Sequence, residues 1–206
     1  MIGIDFDNTV VCYDHAFHEE AAQRGWIPAD LPATKDHVRD FMRRHGNEDG
    51  WTELQGYVYG PYMSNAPPFR GVLEFLTRCR QWRIPVCIIS HKTPYPFQGP
   101  RYDLHQAAQE WLEAHGFFDP LGIGLVAEQV NFELSKEEKL GRIGAMGCTH
   151  FIDDLPEFLS EPRFPDGVER ILFDPNDRHS TDYRFRRAKS WTEIGRILKC
   201  GRAGRP

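Results

Sequence analysis

Four short groups of residues stand out because their side chains could do chemistry together. Near the amino terminus runs Asp5-Phe6-Asp7-Asn8-Thr9. Ser90-His91-Lys92 follows in the middle of the chain, and Asp153-Asp154 lies further on. Lys136 falls between the last two groups. Carboxylates repel one another when brought together unless a cation neutralises them. A hard, oxygen-preferring ion such as Mg2+ suits such a set, because it keeps waters and takes a few carboxylates together with a phosphate. A carboxylate is also a nucleophile that needs no base, being ionised at neutral pH. A hydroxyl and an ammonium nearby would bind the oxygens of an anion.

These residues matter only if the fold gathers them, and the elements around them predict that it does. Ile2–Phe6, Ile84–Ile89, Thr149–Ile152 and Arg170–Phe173 are short apolar or β-prone runs that read as buried strands, with Gly122–Val126 as a further one. Helical spacing is expected over Phe69–Trp82, Tyr102–His115, Lys136–Met146 and Trp191–Lys199. Three more helices are expected between the first two strands, over His15–Arg24, Thr34–His45 and Trp51–Tyr59, with Thr34 as a cap and Gly46 as a stop. Alternation of strand and helix implies a Rossmann-like three-layer α/β sandwich with a mostly parallel sheet of about five strands. Ligands of such sheets bind at the carboxyl ends of the strands. Asp5, Ser90 and Asp153 all fall at such ends, and Lys136 opens a helix.

The order and spacing of these groups resemble the haloacid dehalogenase superfamily. Asp5-Phe6-Asp7-Asn8-Thr9 is similar to its first motif, Ser90 to its second, Lys136 to its third and Asp153-Asp154 to its fourth. Lys139, one turn inside the same helix, is the alternative for the third. The resemblance implies a Mg2+-dependent phosphomonoester hydrolase in which Asp5 forms an aspartyl-phosphate. Asp7 would protonate the leaving oxygen and then activate water. Superfamily dehalogenases and ion pumps lack an acid at that position, whereas phosphatases and phosphomutases have one. Asp5, Asp153 and the backbone carbonyl of Asp7 would hold the metal, with Asp154 acting through water or orienting a ligand. Ser90 and Lys136 would bind the phosphoryl group, backbone N–H groups around Asp7 and Asn8 could cradle it, and Asn8 and Thr9 are candidates for substrate contact.

The resemblance also implies a small helical cap in the insert after the first strand. Residues 12–66 form that insert, and 1–11 with 67–206 form the core. Loops at the end of the second strand face the site in such folds, so His91 and Lys92 are candidates for substrate contact. Arg39, Arg43 and Arg44 share one helix and read as a solvated face in preference to an anion clamp. His15, His18 and His37 lack metal-ligand spacing.

Composition narrows the classes. Net charge is -5, with 40% hydrophobic and 27% charged residues, ordinary for a globular protein. Five scattered cysteines without a C-x-x-C pair point to free thiols in a reducing, cytoplasmic setting. No apolar run reaches the ~18 residues of a membrane span. A small phosphorylated metabolite is the expected substrate. A phosphomutase uses the same motifs. A phosphatase of nucleic-acid ends is a further alternative, because Lys136-Glu137-Glu138 and Phe151-Ile152-Asp153-Asp154 look like the phosphatase half of polynucleotide kinase-phosphatases. Residues 176–206 hold nine Lys/Arg against three Asp/Glu, which would suit backbone phosphates. The chain lacks a P-loop and an overall basic charge, so this alternative ranks lower. A non-catalytic binding protein on the fold ranks last, because the catalytic residue types are all present.

Overall fold

In the computed structural model, residues 1–179 and 185–198 are described, so Lys199 and much of the basic carboxyl-terminal stretch lie outside the described residues. The chain divides into two compact units. The first comprises Met1–Val10, Pro68–His91 and Gly116–Pro206, and the second Val11–Pro67 and Lys92–His115.

The first unit is built on one sheet. Its strands are β1 (Ile2–Ile4), β2 (Val86–His91), β3 (Val130–Glu133), β4 (His150–Asp153), β5 (Glu169–Phe173) and β6 (Arg186–Ala188). They pair in the order β3-β2-β1-β4-β5-β6, and every pair is parallel. The expected sandwich is therefore present, with six strands where about five were expected. The third strand lies at Val130–Glu133 and not at Gly122–Val126. Gly124 adopts a left-handed backbone (φ +66°), which interrupts an extended run. Ile123 and Leu125 are buried nonetheless, so their apolar character reflects packing and not pairing.

Both faces of the sheet are covered. Residues alternate along each strand, so Cys87, Ile89, Phe151 and Leu172 point to one face. There they meet Leu140 and Ile143 of α6 (Lys136–Ala145) and Phe158 and Leu159 of α7 (Pro156–Leu159). On the other face Phe173 packs against Trp191 of α8 (Trp191–Ile197), and Trp191 against Phe75 of α4 (Val72–Gln81).

Gly3 sits in the central strand because nothing larger fits. A Cβ at that position would lie 2.6 Å from the Phe151 ring and 2.9 Å from Cys148 Sγ. Both neighbours belong to the packed core, so neither can swing away. Gly3→Val is expected to destabilise the protein by about 2–3 kcal/mol, as overpacked cores do. The check is the urea midpoint, which should fall with the slope of the transition unchanged.

The second unit is helical. It contains α1 (Asp14–Gln23), α2 (Lys35–Arg44), α3 (Glu48–Tyr59) and α5 (Leu104–Ala114). Thr34 caps α2 by accepting from the His37 amide, as its sequence position predicts. Phe17 stacks on Trp51 at 4.9 Å and packs edge-on to Tyr59, which fixes α1 against α3. The indole of Trp111 donates to the Ala66 carbonyl at 2.7 Å and ties α5 to the same core.

Candidate active site

The strand order reverses at β1. The chain runs from β1 out to β2 and β3, then returns to place β4 on the opposite side of β1. A crevice opens at such a switch point, outside the carboxyl ends of the strands. Asp5 follows β1 and Asp153 ends β4, so the two carboxylates flank that crevice. The Asp5 amide donates to the Ile152 carbonyl at 2.9 Å, which extends the pairing of the two strands into the site.

Asp5, Asp153 and Asp154 each offer a carboxylate oxygen within 4.8 Å of the others. Ser90, near the end of β2, donates its hydroxyl to Asp5 Oδ1 at 2.9 Å. The ammonium of Lys139 donates to Asp5 Oδ1 at 2.7 Å and to Asp153 Oδ2 at 2.6 Å. It also lies 4.1 Å from the centre of the Phe158 ring. Asp153 accepts from the Leu155 amide through its other oxygen, at 2.8 Å. Asp5, Ser90, Lys139 and Asp153 are all buried.

Lys139, not Lys136, is the lysine among the carboxylates. Helical side chains tilt toward the helix amino terminus, so the residue that reaches back to the strand ends sits one turn inside the helix. Three residues of rise separate the two lysines by ~4.5 Å. Lys136, in the first turn, projects past the sheet and pairs with Glu161 at 2.6 Å on the surface. Ser135 caps α6 by accepting from the Glu138 amide, which fixes where the helix starts.

Charge in this cluster is uneven. Burial pushes the Asp153 carboxyl up to about 7, and the charge of Asp5 adds to the push, while Lys139 opposes both. Burial would pull the Lys139 ammonium down, but Asp153 and Asp5 outweigh it and hold its pKa above the ordinary lysine value. One ammonium thus leaves the three carboxylates short of positive charge. Oxygen donors so close together, one of them resisting ionisation without a further cation, fit a hard divalent ion.

The remaining expected residues divide. Asp7 and Asn8 continue directly from Asp5, and Asn8 turns the chain with φ +60°, a conformation that Asn tolerates better than most residues. Thr9 is fully buried, its hydroxyl meets no hydrogen-bond partner among the described residues, and its carbonyl accepts from the Trp191 indole at 3.2 Å. His91 is exposed and turns to the Leu134 carbonyl at 3.2 Å. Lys92 begins the second unit's later segment, where it is buried with its ammonium 5.0 Å from the Tyr59 ring. Arg39 and Arg43 engage acids near them on the chain, Asp36, Asp40 and Glu48, as a solvated helix face would.

No protein-family model matches the sequence, and no curated protein matches it. Solved structures do. A HAD-family hydrolase from Deinococcus radiodurans, with bound phosphate and sodium, superposes with a TM-score of 0.57 at 13% identity, over 97% of this chain and 95% of that one. A HAD-superfamily hydrolase from Ehrlichia chaffeensis gives 0.54 at 15% identity, over 96% and 95%. The HAD-hydrolase YfnB from Bacillus subtilis, bound to magnesium, gives 0.52 at 11% identity, over 96% and 97%. The fold is that of the haloacid dehalogenase superfamily. Within that fold Asp5, Ser90, Lys139 and Asp153 meet at the carboxyl ends of the strands. Among the described residues no helix is long and apolar enough to cross a membrane.

Proposed function

We propose that the protein is a hydrolase of the haloacid dehalogenase superfamily that cleaves phosphate monoesters with Mg2+, through an aspartyl-phosphate on Asp5. One observation carries this reading. Lys139 and Ser90 both converge on Asp5 Oδ1, while Asp153 and Asp154 stand within 4.8 Å of the same group. A carboxylate held this way has one oxygen anchored and the other available to attack. Asp5 would attack phosphorus, and the bond from phosphorus to the leaving oxygen would break. Asp7, two residues on, would give its proton to that oxygen and afterwards take one from the water that attacks the aspartyl-phosphate. Ser90 and Lys139 would hold the oxygens of the phosphoryl group.

Asp5, Asp153 and the backbone carbonyl of Asp7 would hold the Mg2+, with Asp154 acting through water. The ion would supply positive charge at the phosphoryl oxygens and offset the burial, and the repulsion from Asp5, that hold the Asp153 carboxyl up. An acid at position 7 favours phosphoryl transfer over dehalogenation in a superfamily site. A small phosphorylated metabolite is the proposed substrate, in a cytoplasmic setting.

Phosphate release should be assayed against sugar phosphates, nucleotides and phosphorylated oligonucleotides, with Mg2+ and with chelator. Release from at least one small monoester, falling at least about a hundredfold under chelation, is the expected result. Release that survives chelation would defeat the metal assignment. Isomerised product without net release would move the protein to the phosphomutases.

A further inference from the structure

The face of the first unit that packs α4 and α8 holds a feature for which hydrolysis has no use. A cavity of about 1110 Å³ lies along the two helices. Phe75, Phe173 and Trp191 form its buried floor, and Phe69 is partly exposed at one side. The rim is basic. Arg70, Arg78 and Arg196 are exposed and make no ion pair among the described residues. Lys189 also lines it but is engaged by Asp177 at 2.6 Å. Glu74 is the single acid of the lining.

Three guanidinium groups with no ion pair among the described residues flank a groove whose accessible aromatic face is Phe69, with Phe75, Phe173 and Trp191 buried beneath it. Guanidinium forks match phosphate oxygens two at a time, and aromatic faces take planar, apolar groups. The size suits a ligand larger than a lone anion, since small-molecule pockets span ~300–1,000 Å³. The ligand must bring several negative charges and a planar body.

We propose that this groove is a second ligand site that binds a nucleoside di- or triphosphate. The phosphates pair with Arg70, Arg78 and Arg196, and the base lies over the aromatic side at Phe69. The site touches the catalytic strand through its floor. The Trp191 indole donates to the Thr9 carbonyl, and the Phe69 amide donates to the Val10 carbonyl at 2.8 Å. Both acceptors continue the segment that carries Asp5 and Asp7, so occupancy of the groove is felt at the hydrolytic loop.

Equilibrium binding of ADP and ATP, in chelator so that hydrolysis is suppressed, tests the assignment. Wild type and Asp5→Asn should bind with equal affinity. The triple variant Arg70→Ala/Arg78→Ala/Arg196→Ala should lose at least about tenfold, since each charge-assisted fork contributes strongly, and should hydrolyse substrate as wild type does without nucleotide. All three arginines are exposed, so the variant should fold, and circular dichroism verifies it. Three outcomes overturn the proposal: no saturable binding, binding lost in Asp5→Asn yet kept in the triple variant, or inorganic pyrophosphate binding as tightly as ADP. None of these bears on whether Asp5 hydrolyses phosphate esters.

Discussion

Asp5→Asn is expected to abolish phosphate release while leaving the protein folded. The carboxamide keeps an oxygen where Asp5 Oδ1 stands, so Ser90 and Lys139 retain an acceptor there. The Asp5–Ile152 backbone hydrogen bond does not involve the side chain and survives. What the substitution removes is the anionic oxygen that the proposed mechanism bonds to phosphorus. Asp153 does not offer a free oxygen in its place, because Lys139 anchors one of its oxygens and the Leu155 amide the other. Loss of a covalent nucleophile costs at least about a thousandfold in kcat, and residual turnover then reflects binding and positioning alone. Repulsion between Asp5 and Asp153 disappears with the charge, so stability without metal should hold or rise slightly. Rate and urea midpoint are to be measured together. A variant that keeps more than about a tenth of its activity would show that water attacks directly and that Asp5 only holds the metal. A variant that loses both activity and fold would show that Asp5 is structural.

The site's backbone was more legible in sequence than its side-chain geometry. Val86–Ile89 and Phe151–Ile152 are buried, and burial on both faces leaves an apolar run that any reader of sequence can find. Edge strands leave no such mark. Val130–Glu133 is partly exposed along its whole length and mixes Asn and Glu with Val and Phe, so pattern alone pointed to the apolar stretch before it. Arg186–Ala188 carries two arginines in three residues and pairs on one side only. Its strand character comes from β5 and not from its own composition. The clustered carboxylates were legible for a different reason. Acids at the ends of buried strands have few structural uses, so their chemistry shows through. Lys139 was less legible because Lys136 sits at the expected helix start and Lys139 one turn inside, which left it as the alternative. Its signal was present in its neighbours: Leu140 and Ile143 share its buried side, and a lysine on a buried side requires an acid to meet.

That requirement sets the contrast between the two lysines. Lys139→Ala should lose roughly a hundredfold or more in kcat, because the charge that offsets nucleophile and phosphate is gone. It should also destabilise the metal-free protein by about 3 kcal/mol, since breaking a buried ion pair strands the partner charges. Mg2+ should recover part of the stability, because it neutralises the same carboxylates, but little of the rate. Lys139→Arg is not expected to rescue either quantity. The lysine side chain is only 4% exposed, and a planar guanidinium is too large for a slot closed by Phe158 and Phe151. Lys136→Ala breaks a bridge whose lysine is 47% exposed. Solvent screens such a pair, so stability should move by less than about 0.5 kcal/mol and kcat by less than about twofold. Steady-state kinetics and chelator-containing urea titrations of the three variants check both halves. Equal damage from Lys136→Ala and Lys139→Ala would mean that α6 shifts by a turn when substrate binds. Damage from Lys136→Ala alone would return the third motif to the start of the helix and separate the resting geometry from the catalytic one.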